Sequence, residues 1–387
     1  MSDVSPEIEL LIALCRKPLP APSRNRIDRL IDQDIDWALF VSRAIEWQVE
    51  PVVFSNLRLS YADAMPADVR GQVAEKEKEA RAHALTRTLV LMDLLDIFAR
   101  EGIRVLVLKG PAVSLQAYGD ASLRSFADMD LLVRHVDLPR ARDLLLASRY
   151  KRDYSPEDER ALVRQEHALE FSNSRSKVEL HWSLLSRHLR LNMDVDSLWG
   201  EARTIACAGG TIEVLAPHHL FLFLSAHGAK HEWANPRWIC DIVQLLSSMS
   251  QAHVDAVVEL ASRAHAIRIV KLALQVTQDF FGERISVFPH EWSSDDAATN
   301  DLRSMVSYRL RTGSGPPPVE GWLASLDPRL KSLVFWTKAR ERLIDRICCI
   351  GEVLFVPTGR DKAMGSLGWA SRPLRLAARA LRRGLVA

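Results

Sequence analysis

The spacing of apolar residues changes twice along the chain. Up to about residue 101 they recur three and four positions apart, as in amphipathic helices, and Pro66 to Gly102 reads as one long helix. Short runs rich in β-branched residues follow, until the helical spacing returns at Pro217. These changes predict three regions: N-terminal helices at 1–101, a mixed α/β core at 102–216 and C-terminal helices at 217–387.

Four segments of the core region have the composition of β-strands. The last of them, Thr204 to Ala216, carries Gly209-Gly210 between two alternating runs, which suits a hairpin with a tight two-residue turn. The other three are Ile103–Leu108, Asp128–Val133 and Lys177–Trp182. Because helical segments such as Asp137–Tyr150 separate these strands, we predict a mixed sheet covered by helices, of the α+β class.

Asp128 and Asp130 are the first residues that point to chemistry. Side chains two positions apart on a strand point the same way, so the two carboxylates project together. Parallel carboxylates repel each other unless they are solvated or a hard divalent cation such as Mg²⁺ lies between them. Because an Asp-x-Asp triplet also occurs by chance, the surrounding residues have to decide between these interpretations.

The residues upstream favour a phosphate site. The predicted strand runs into Lys109-Gly110-Pro111, where Gly110 allows close backbone approach and Pro111 suits the first turn of a helix. A helix that begins there directs its free N–H groups and positive dipole end outward. The chain contains no Walker A pattern. A strand, a glycine turn, a helix and a carboxylate-bearing strand together predict a site for a metal-bound nucleoside triphosphate.

Glu179 offers a third carboxylate on the predicted strand Lys177–Trp182, where His181 points in the same direction. Three acidic side chains from two strands can hold one divalent ion against a triphosphate and another against an attacking hydroxyl. We therefore predict Asp128, Asp130 and Glu179 as catalytic and metal-binding residues. The alternative for Glu179 is an exposed strand charge with an ordinary ion-pair partner.

The order of these features resembles a known superfamily. A Lys-Gly turn, a helix with a tyrosine, an arginine, the sequence DMDLLV and later VELHW are similar to nucleotidyltransferases of the DNA polymerase β-like fold, above all to the bacterial group described as uncharacterised nucleotidyltransferases. The resemblance is strongest between Leu106 and Trp182. It implies a polymerase β-like mixed-sheet core, flanked by N-terminal helices and a C-terminal helical bundle.

The resemblance also implies a cofactor and a co-substrate. These are Mg²⁺ or Mn²⁺ and a nucleoside triphosphate, with ATP expected. Gly110 takes the place of the phosphate-binding turn of the superfamily. Asp128 and Asp130 correspond to its metal-binding carboxylates, and Glu179 corresponds to the third acid.

The turn departs from the superfamily pattern. Many members carry a Gly-Ser pair where this chain has Lys109-Gly110-Pro111. We therefore expect Lys109 and Arg124 to supply the positive charge that holds the phosphates. Arg124 could instead pair with Asp120 or Asp128.

A second polar group lies in the stretch from His227 to Asp241. We predict that His227, Lys230 and Asp241 form the polar wall of a cleft between the core and the C-terminal helices, where the nucleotide or the acceptor binds. The alternative is a buried polar cluster that orients helices. His227 and His231 share one helix face, which would suit zinc if a third ligand were present.

Charge and composition narrow the class of protein. Lys and Arg total 51 against 49 acidic residues, a formal net charge of +2, so there is no strong signal for nucleic-acid binding. The five cysteines lack CxxC spacing and are expected to be reduced thiols. The N-terminus lacks a basic n-region, and no stretch approaches the ~18 apolar residues of a membrane span. We predict a cytoplasmic protein.

Two further stretches are assigned structural roles. His218 and His219, which follow Pro217, are expected to be helix caps or surface residues. The C-terminal stretch Arg360–Ala387 alternates arginines with leucines and alanines at helical spacing. Such a basic amphipathic helix packs on the helical region, the interpretation favoured here, or makes peripheral contact with an anionic membrane.

Together these features predict a metal-dependent nucleotidyltransferase. It would move a nucleoside monophosphate from an NTP to a hydroxyl-bearing acceptor, a small molecule, glycan or peptide, and release pyrophosphate. The family resemblance implies that this acceptor belongs to bacterial polysaccharide or peptide natural-product biosynthesis. Three alternatives stay open: a catalytically degenerate nucleotide- or partner-binding protein, a phosphotransferase with the same site, and a zinc-dependent hydrolase built around His227.

Overall fold

The structure of the protein, a computed structural model, describes residues 5–185, 191, 193–293, 296–312 and 328–355. The chain divides into two compact units. The first consists of Met1–Arg187, Asp194–Phe223 and Pro236–His253, and the second of His188–Met193, Leu224–Asn235 and Val254–Ala387. The three-part division predicted from the sequence, with boundaries after residues 101 and 216, stays a prediction.

The first unit contains a mixed sheet of seven strands. These are β1 Leu106–Val107, β2 Asp128–Leu132, β3 Lys151–Arg152, β4 Ala168–Ser172, β5 Lys177–His181, β6 Arg203–Cys207 and β7 Gly210–Val214. They follow the order β3-β4-β5-β2-β1-β7-β6. β2 is parallel to β5, β1 is parallel to β7, and the other neighbours are antiparallel. The predicted α+β class is confirmed.

The two central strands are apolar on one face and polar on the other. Met129 and Leu131 of β2, together with Val178 and Leu180 of β5, belong to the buried core of this unit. Alternate side chains on a strand point to opposite faces, so the acidic residues between them share the other face. Parallel pairing in register then places the charged positions of β2 and β5 side by side.

Along the chain, helices precede, separate and follow the strands of this sheet. They are α1 Pro6–Leu14, α2 Ala21–Ile31, α3 Trp37–Glu46, α4 Glu50–Ser60, α5 Ala67–Arg100, α6 Pro111–Val113, α7 Leu138–Ala147, α8 Glu159–Gln165, α9 Val195–Gly200, α10 Pro217–Lys230 and α11 Pro236–Ser248. The long helix predicted from Pro66 to Gly102 is confirmed as α5, which has 34 residues. It ends before Gly102, whose φ of +66° a side-chain-bearing residue rarely adopts.

The second unit is helical where it is described. Its helices after α10 are α12 Gln251–Arg263, of which the part from Val254 belongs to this unit, α13 Ile267–Phe281, α14 His290–Ser293, α15 Ala297–Thr312, α16 Pro328–Ala339 and α17 Leu343–Phe355. The return of helical spacing at Pro217 is thus confirmed.

The sheet is larger than the sequence predicts. β3 has only two residues, and β4 has only Leu169 and Phe171 as inward-facing apolar positions. Patterns this short do not separate a strand from a loop. Conversely, the predicted strand Ile103–Leu108 is a strand only over Leu106–Val107.

The predicted hairpin is present, but its turn lies one residue earlier. Cys207 pairs with Gly210, so the two turn residues are Ala208 and Gly209 rather than Gly209 and Gly210. Their φ values of +47° and +83° are both positive, as a type I′ turn requires. Glycine adopts a positive φ without steric cost, so Gly209 suits its position, whereas a positive φ is unfavourable for Ala208.

The sequence also predicts reduced cysteines and no membrane-spanning segment. All five cysteines are free thiols. In the part of the chain that the structure describes, no helix combines the length and the apolar character needed to cross a membrane. The basic stretch Arg360–Ala387 lies outside the described residues.

Candidate active site

The predicted glycine turn lies at the end of β1, directly beside β2. The Leu108 N–H donates a hydrogen bond of 2.9 Å to the Asp130 carbonyl, so the sheet pairing continues up to the turn. Gly110 then adopts φ +61° and ψ −124°. A Cβ atom at this position would lie 3.2 Å from Cδ2 of Phe126. Both the backbone conformation and the packing therefore require glycine.

The helix after the turn is shorter than the sequence suggests. α6 covers three residues and continues as a π-helical turn over Ser114–Tyr118, which ends at Gly119 with φ +74°. The dipole of such a short helix is small, because few peptide units add to it. The anion-binding capacity of the turn therefore depends mainly on the Gly110 backbone and the Lys109 side chain.

The parallel pairing of β2 with β5 brings two of the predicted carboxylates together. Asp130 lies opposite Glu179 in the register, and Asp128 lies opposite Lys177. The Asp130 side chain is fully buried, whereas that of Glu179 keeps 23% of its exposure. The structure thus places Asp130 and Glu179 side by side, with Asp128 on the same strand as Asp130. The catalytic and metal-binding roles assigned to these three residues stay predictions.

Asp130 contacts two side chains that can carry positive charge. Its Oδ1 lies 2.6 Å from Nζ of Lys109 and 3.2 Å from Nε2 of His181. The same His181 nitrogen lies 3.5 Å from Oε2 of Glu179. His181 therefore bridges the two carboxylates, and Lys109 links them to the glycine turn.

These contacts shift the pKa values of the buried groups. Burial alone would raise the pKa of Asp130, but the Lys109 ammonium and the His181 hydrogen bond outweigh it and hold this pKa well below its usual range. Burial alone would lower the pKa of His181, but hydrogen bonds to Asp130 and Glu179 raise it. The pKa of Lys109 is likewise raised, because the Asp130 charge outweighs burial. In the absence of a metal, Asp130, His181 and Lys109 therefore stabilise one another in their charged forms.

The other two carboxylates have opposite shifts. Burial and the neighbouring Asp130 charge raise the pKa of Asp128. The His181 hydrogen bond lowers the pKa of Glu179 and outweighs its burial. A divalent cation would relieve the repulsion between Asp128 and Asp130, which is the reason the sequence pattern suggests a metal.

Asp130, Glu179 and His181 fit a divalent metal ion. One ligand atom from each lies within 4.8 Å of the other two. Among the described residues, the buried Oδ2 of Asp130 has no hydrogen-bond partner, which is costly unless something binds it. Two carboxylates and an imidazole form a donor set that suits divalent transition metals. Asp128, predicted as a ligand, lies outside this group of three.

His181 received no role from the sequence, although its side chain points the same way as that of Glu179. The signal was available, because the two-residue spacing that relates Asp128 to Asp130 also relates Glu179 to His181. What the sequence lacked was the strand order. Once β5 lies beside β2, the same spacing places His181 next to Asp130.

Arg124 and Asp241, both predicted to bind the nucleotide or the acceptor, contact each other. Nε of Arg124 lies 2.9 and 3.0 Å from the two Asp241 carboxylate oxygens, and both side chains are almost completely buried. The Tyr118 hydroxyl donates a hydrogen bond of 3.1 Å to Oδ1 of Asp241. This cluster fastens the segment before β2 to α11. Arg124 thus pairs with Asp241, and not with Asp120 or Asp128 as the alternative expected, and its ligand-binding role stays a prediction.

A cavity of about 220 Å³ lies beside the same segment. Glu50, Arg124 and Phe126 are among the residues that line it. The Ser125 hydroxyl donates a hydrogen bond of 2.6 Å to Oε1 of Glu50, while no described residue bonds the buried Oε2. Burial raises the pKa of Glu50. Because the Phe126 ring also faces Gly110, the cavity adjoins the glycine turn.

His227 and Lys230 lie on α10, in the second unit. The rings of His227 and His231 have centroids 4.7 Å apart, and the Lys230 carbonyl accepts a hydrogen bond of 3.2 Å from Nε1 of Trp336. Among the described residues, the groups of three metal-ligating side chains include neither histidine. The structure therefore adds no third ligand for zinc here, and the cleft wall with Asp241 stays a prediction.

The family of the chain follows from comparison with known families. Residues 33–282, more than half of the chain, match the family described as Uncharacterised nucleotidyltransferase. The chain belongs to this family. The match spans the Lys109-Gly110 turn and both strands that carry the predicted carboxylates, so the resemblance noted in the sequence is confirmed.

Among solved structures, the comparison finds the solution structure of the antibiotic-resistance factor ANT(2'')-Ia. The two chains are 9% identical, with a TM-score of 0.35, and the match covers 46% of this chain and 92% of that chain. No curated protein matches the chain.

Proposed function

We propose that this protein is a metal-dependent nucleotidyltransferase. It would transfer a nucleoside monophosphate from a nucleoside triphosphate, with ATP expected, to a hydroxyl group of an acceptor. The acceptor oxygen attacks the α-phosphate and pyrophosphate leaves. One observation carries the proposal: Asp130 and Glu179 are paired across β2 and β5 and lie with Lys109 beside the Gly110 turn. Membership of a nucleotidyltransferase family supports it.

Lys109 and Gly110 are assigned to the triphosphate. The Lys109 side chain is 15% exposed, so its ammonium can reach phosphate oxygens while it stays close to Asp130. Gly110 has no side chain between the backbone and a ligand, so a phosphate can approach the main chain closely. Arg124 is held by Asp241, so it would have to exchange this partner for a phosphate in order to bind the triphosphate directly.

Asp130, Glu179 and His181 would hold the divalent ion, with Asp128 beside them on β2. Such an ion, when bound, neutralises the charge that develops on the phosphates during transfer. Asp130 and Glu179 contribute the negative charge of the site. His181 has to lose its proton before Nε2 can act as a ligand, so metal binding would release a proton.

Glu179 is assigned to the acceptor. Its lowered pKa keeps the carboxylate ionised at neutral pH, and its side chain is partly exposed. An ionised carboxylate within hydrogen-bond distance of a hydroxyl can accept the proton of that hydroxyl. His181, 3.5 Å away, orients the carboxylate.

The identity of the metal follows from the donor set. The sequence predicts Mg²⁺ or Mn²⁺, and the imidazole of His181 favours Mn²⁺, because Mg²⁺ prefers oxygen ligands while imidazole suits transition metals. Replacing His181 with glutamine offers an oxygen donor instead. We expect the His181→Gln variant to shift the preference for the activating metal toward Mg²⁺, measured as the ratio of the two rates.

The acceptor is proposed to be a small molecule, a glycan or a peptide in a bacterial biosynthetic pathway for a polysaccharide or peptide natural product. The cavity beside Glu50 and Phe126 is large enough for part of such a molecule. A cytoplasmic location would supply the nucleoside triphosphate. Phosphoryl transfer by the same residues would give a nucleoside diphosphate instead of pyrophosphate.

The test is to incubate the protein with NTP, Mg²⁺ or Mn²⁺ and a panel of sugars, peptides and nucleic acids, and to follow pyrophosphate. We expect Asp128→Asn, Asp130→Asn and Glu179→Gln to remove the activity, since each loses a charged site residue. Asp143→Asn is the matched control, because Asp143 is a 63% exposed aspartate on α7 whose ion-pair partner among the described residues is its neighbour Arg142. If transfer persists undiminished in Asp130→Asn, the assignment of the site is wrong.

A further inference from the structure

A second group of metal-ligating side chains lies at the base of the β6–β7 hairpin, in the first unit. Glu201 precedes β6, and His218 and His219 follow β7 in the first turn of α10. One ligand atom from each of these residues lies within 4.8 Å of the other two. The group thus joins the two chain segments that enter and leave the hairpin.

The distances suit direct coordination of one ion. Nε2 of His218 lies 3.1 Å from Oε2 of Glu201, and the two imidazole rings have centroids 4.2 Å apart. In a tetrahedral zinc site with bonds of about 2.0 to 2.2 Å, neighbouring ligand atoms are about 3.3 to 3.5 Å apart. The observed contact is close to that spacing, so an ion could enter with small side-chain movements.

The burial of the three residues is graded from the interior to the solvent. His219 is 1% exposed, the His218 side chain 12% and the Glu201 side chain 53%. The prediction of caps or surface residues is therefore wrong for His219. Its Nε2 lies 3.4 Å from the Ser197 hydroxyl, which orients the ring. Two imidazoles would bind an ion from the protein side, and the carboxylate would cover it toward water.

We propose that Glu201, His218 and His219 form a binding site for a divalent transition metal, with Zn²⁺ as the best-suited ion. Two neutral imidazoles and one carboxylate are typical ligands of zinc, whereas Mg²⁺ prefers an oxygen shell. Such a site differs in kind from the proposed active site, where a lysine contacts the buried carboxylate. The two sites share no residue.

The position of the site indicates a structural role. An ion bound to Glu201 and His218 would close the chain segment that forms the hairpin, and so reduce the freedom of that segment in the unfolded protein. Val214 of β7 pairs with Val107 of β1, which leads into the Lys109-Gly110 turn. The ion would therefore stabilise the sheet beside the active site without taking part in the reaction.

The proposal is tested on the full chain, stripped of metal with a chelator and then titrated with ZnCl₂ while the melting temperature is followed. We expect Zn²⁺ to raise the melting temperature of the wild type, of Asp130→Asn and of the control His135→Ala, in which an exposed histidine is lost. We expect His218→Ala and Glu201→Gln to lower the affinity for Zn²⁺ at least about tenfold. Co²⁺ bound in place of zinc should give a visible absorption band that both variants lose.

Two results would overturn the proposal. One is a Zn²⁺ response that is unchanged in both His218→Ala and Glu201→Gln. The other is the absence of any Zn²⁺ response in Asp130→Asn, which would assign all the zinc to the active site. Glu201→Gln keeps the size of an exposed side chain and provides a folded variant should His218→Ala not fold. Because pyrophosphate release depends on Asp130 and zinc binding at the hairpin does not, failure of one proposal is distinguishable from failure of the other.

Discussion

Two clusters of buried charge lie close together in the first unit, and they differ in how completely their charges are matched. Arg124 and Asp241 form a one-to-one pair in which both carboxylate oxygens are bonded. Lys109 and His181 both contact one carboxylate oxygen of Asp130, while the other oxygen has no hydrogen-bond partner in the part of the chain that the structure describes. The first cluster is complete as it stands, whereas the second is arranged for a further ligand.

A buried charge whose partners are all bonded is best regarded as structural, whereas a buried charge with an unbonded oxygen is a candidate for ligand binding. A satisfied pair contributes specificity of packing, and breaking it leaves a charge without compensation. A buried carboxylate oxygen without a partner is costly in the free protein, and that cost is recovered when a cation binds. We therefore expect a substitution at Asp130 to affect mainly the rate of nucleotidyl transfer, and a substitution at Asp241 to affect mainly the unfolding free energy.

The largest expected effect is on catalysis in Asp130→Asn. Loss of this charge should lower the rate of nucleotidyl transfer at least about 1,000-fold, because a metal ligand contributes several kcal/mol to the transition state. The unfolding free energy should fall less than in Asp241→Asn, because Lys109 is 15% exposed to water and Glu179 stays 3.5 Å from His181 as a countercharge. The measurement is kcat with saturating metal, together with urea unfolding. A rate within tenfold of the wild type would contradict the assignment of Asp130 as a metal ligand.

Asp241→Asn should show the opposite behaviour. It leaves the Arg124 guanidinium buried without a countercharge, which costs about 3 to 5 kcal/mol of unfolding free energy. Urea unfolding at neutral pH measures this loss. Asp196→Asn is the control, because this aspartate is 88% exposed and its contact with Arg134 is 3.4 Å long. An unfolding free energy within 1 kcal/mol of the wild type would show that the pair is not structural.

Gly110→Ala should have an intermediate effect on both quantities. Its φ of +61° is unfavourable for alanine, and the new Cβ would lie 3.2 Å from the Phe126 ring. We expect a loss of about 1 to 3 kcal/mol of unfolding free energy and a raised KM for the nucleotide. Gly71→Ala in α5 is the matched control, since no atom lies within 4 Å of its added Cβ and alanine favours the helix. Equal stability of the two variants would contradict the expectation.

The smallest expected effect is the pH dependence of the metal-free protein. Because hydrogen bonds to Asp130 and Glu179 raise the folded pKa of His181 above the usual value of about 6.5, its contribution to stability is fully present below about pH 6.5 and is lost as the pH rises through the folded pKa. Unfolding in a chelator at increasing pH measures this decrease. The His181→Gln variant should lack it. A wild-type stability that rises over the same interval would show that His181 is not held as an imidazolium.

Much of the site was predictable because it depends on local rules. Two-residue spacing put Asp128 and Asp130 on one strand face, and the Lys-Gly-Pro sequence marked the turn. The same rules missed β3 and β4, whose runs are too short to give a periodic signal. They also placed the hairpin turn one residue late, since pairing between Cys207 and Gly210 decides it.

Pairings between distant residues were outside the reach of such rules. Asp241 follows Arg124 by 117 positions, and nothing in the local sequence of either residue indicates the other. Asp130 and His181 are separated by 51 positions, and they meet because β2 and β5 are parallel neighbours. Local spacing decides the direction of a side chain along its own strand, but not which strand lies beside it.

The long helix, the strands that carry the acidic residues, the glycine turn and the family could all be predicted from the order of the amino acids. These depend on periodicity, on backbone preferences and on the order of residue types, all of which are properties of a linear chain. Only the tertiary structure decided that Asp130 is bound by Lys109 and His181 while Arg124 is held by Asp241. The physical reason is that charge interactions depend on distance and burial in space, and strand order and helix packing set both.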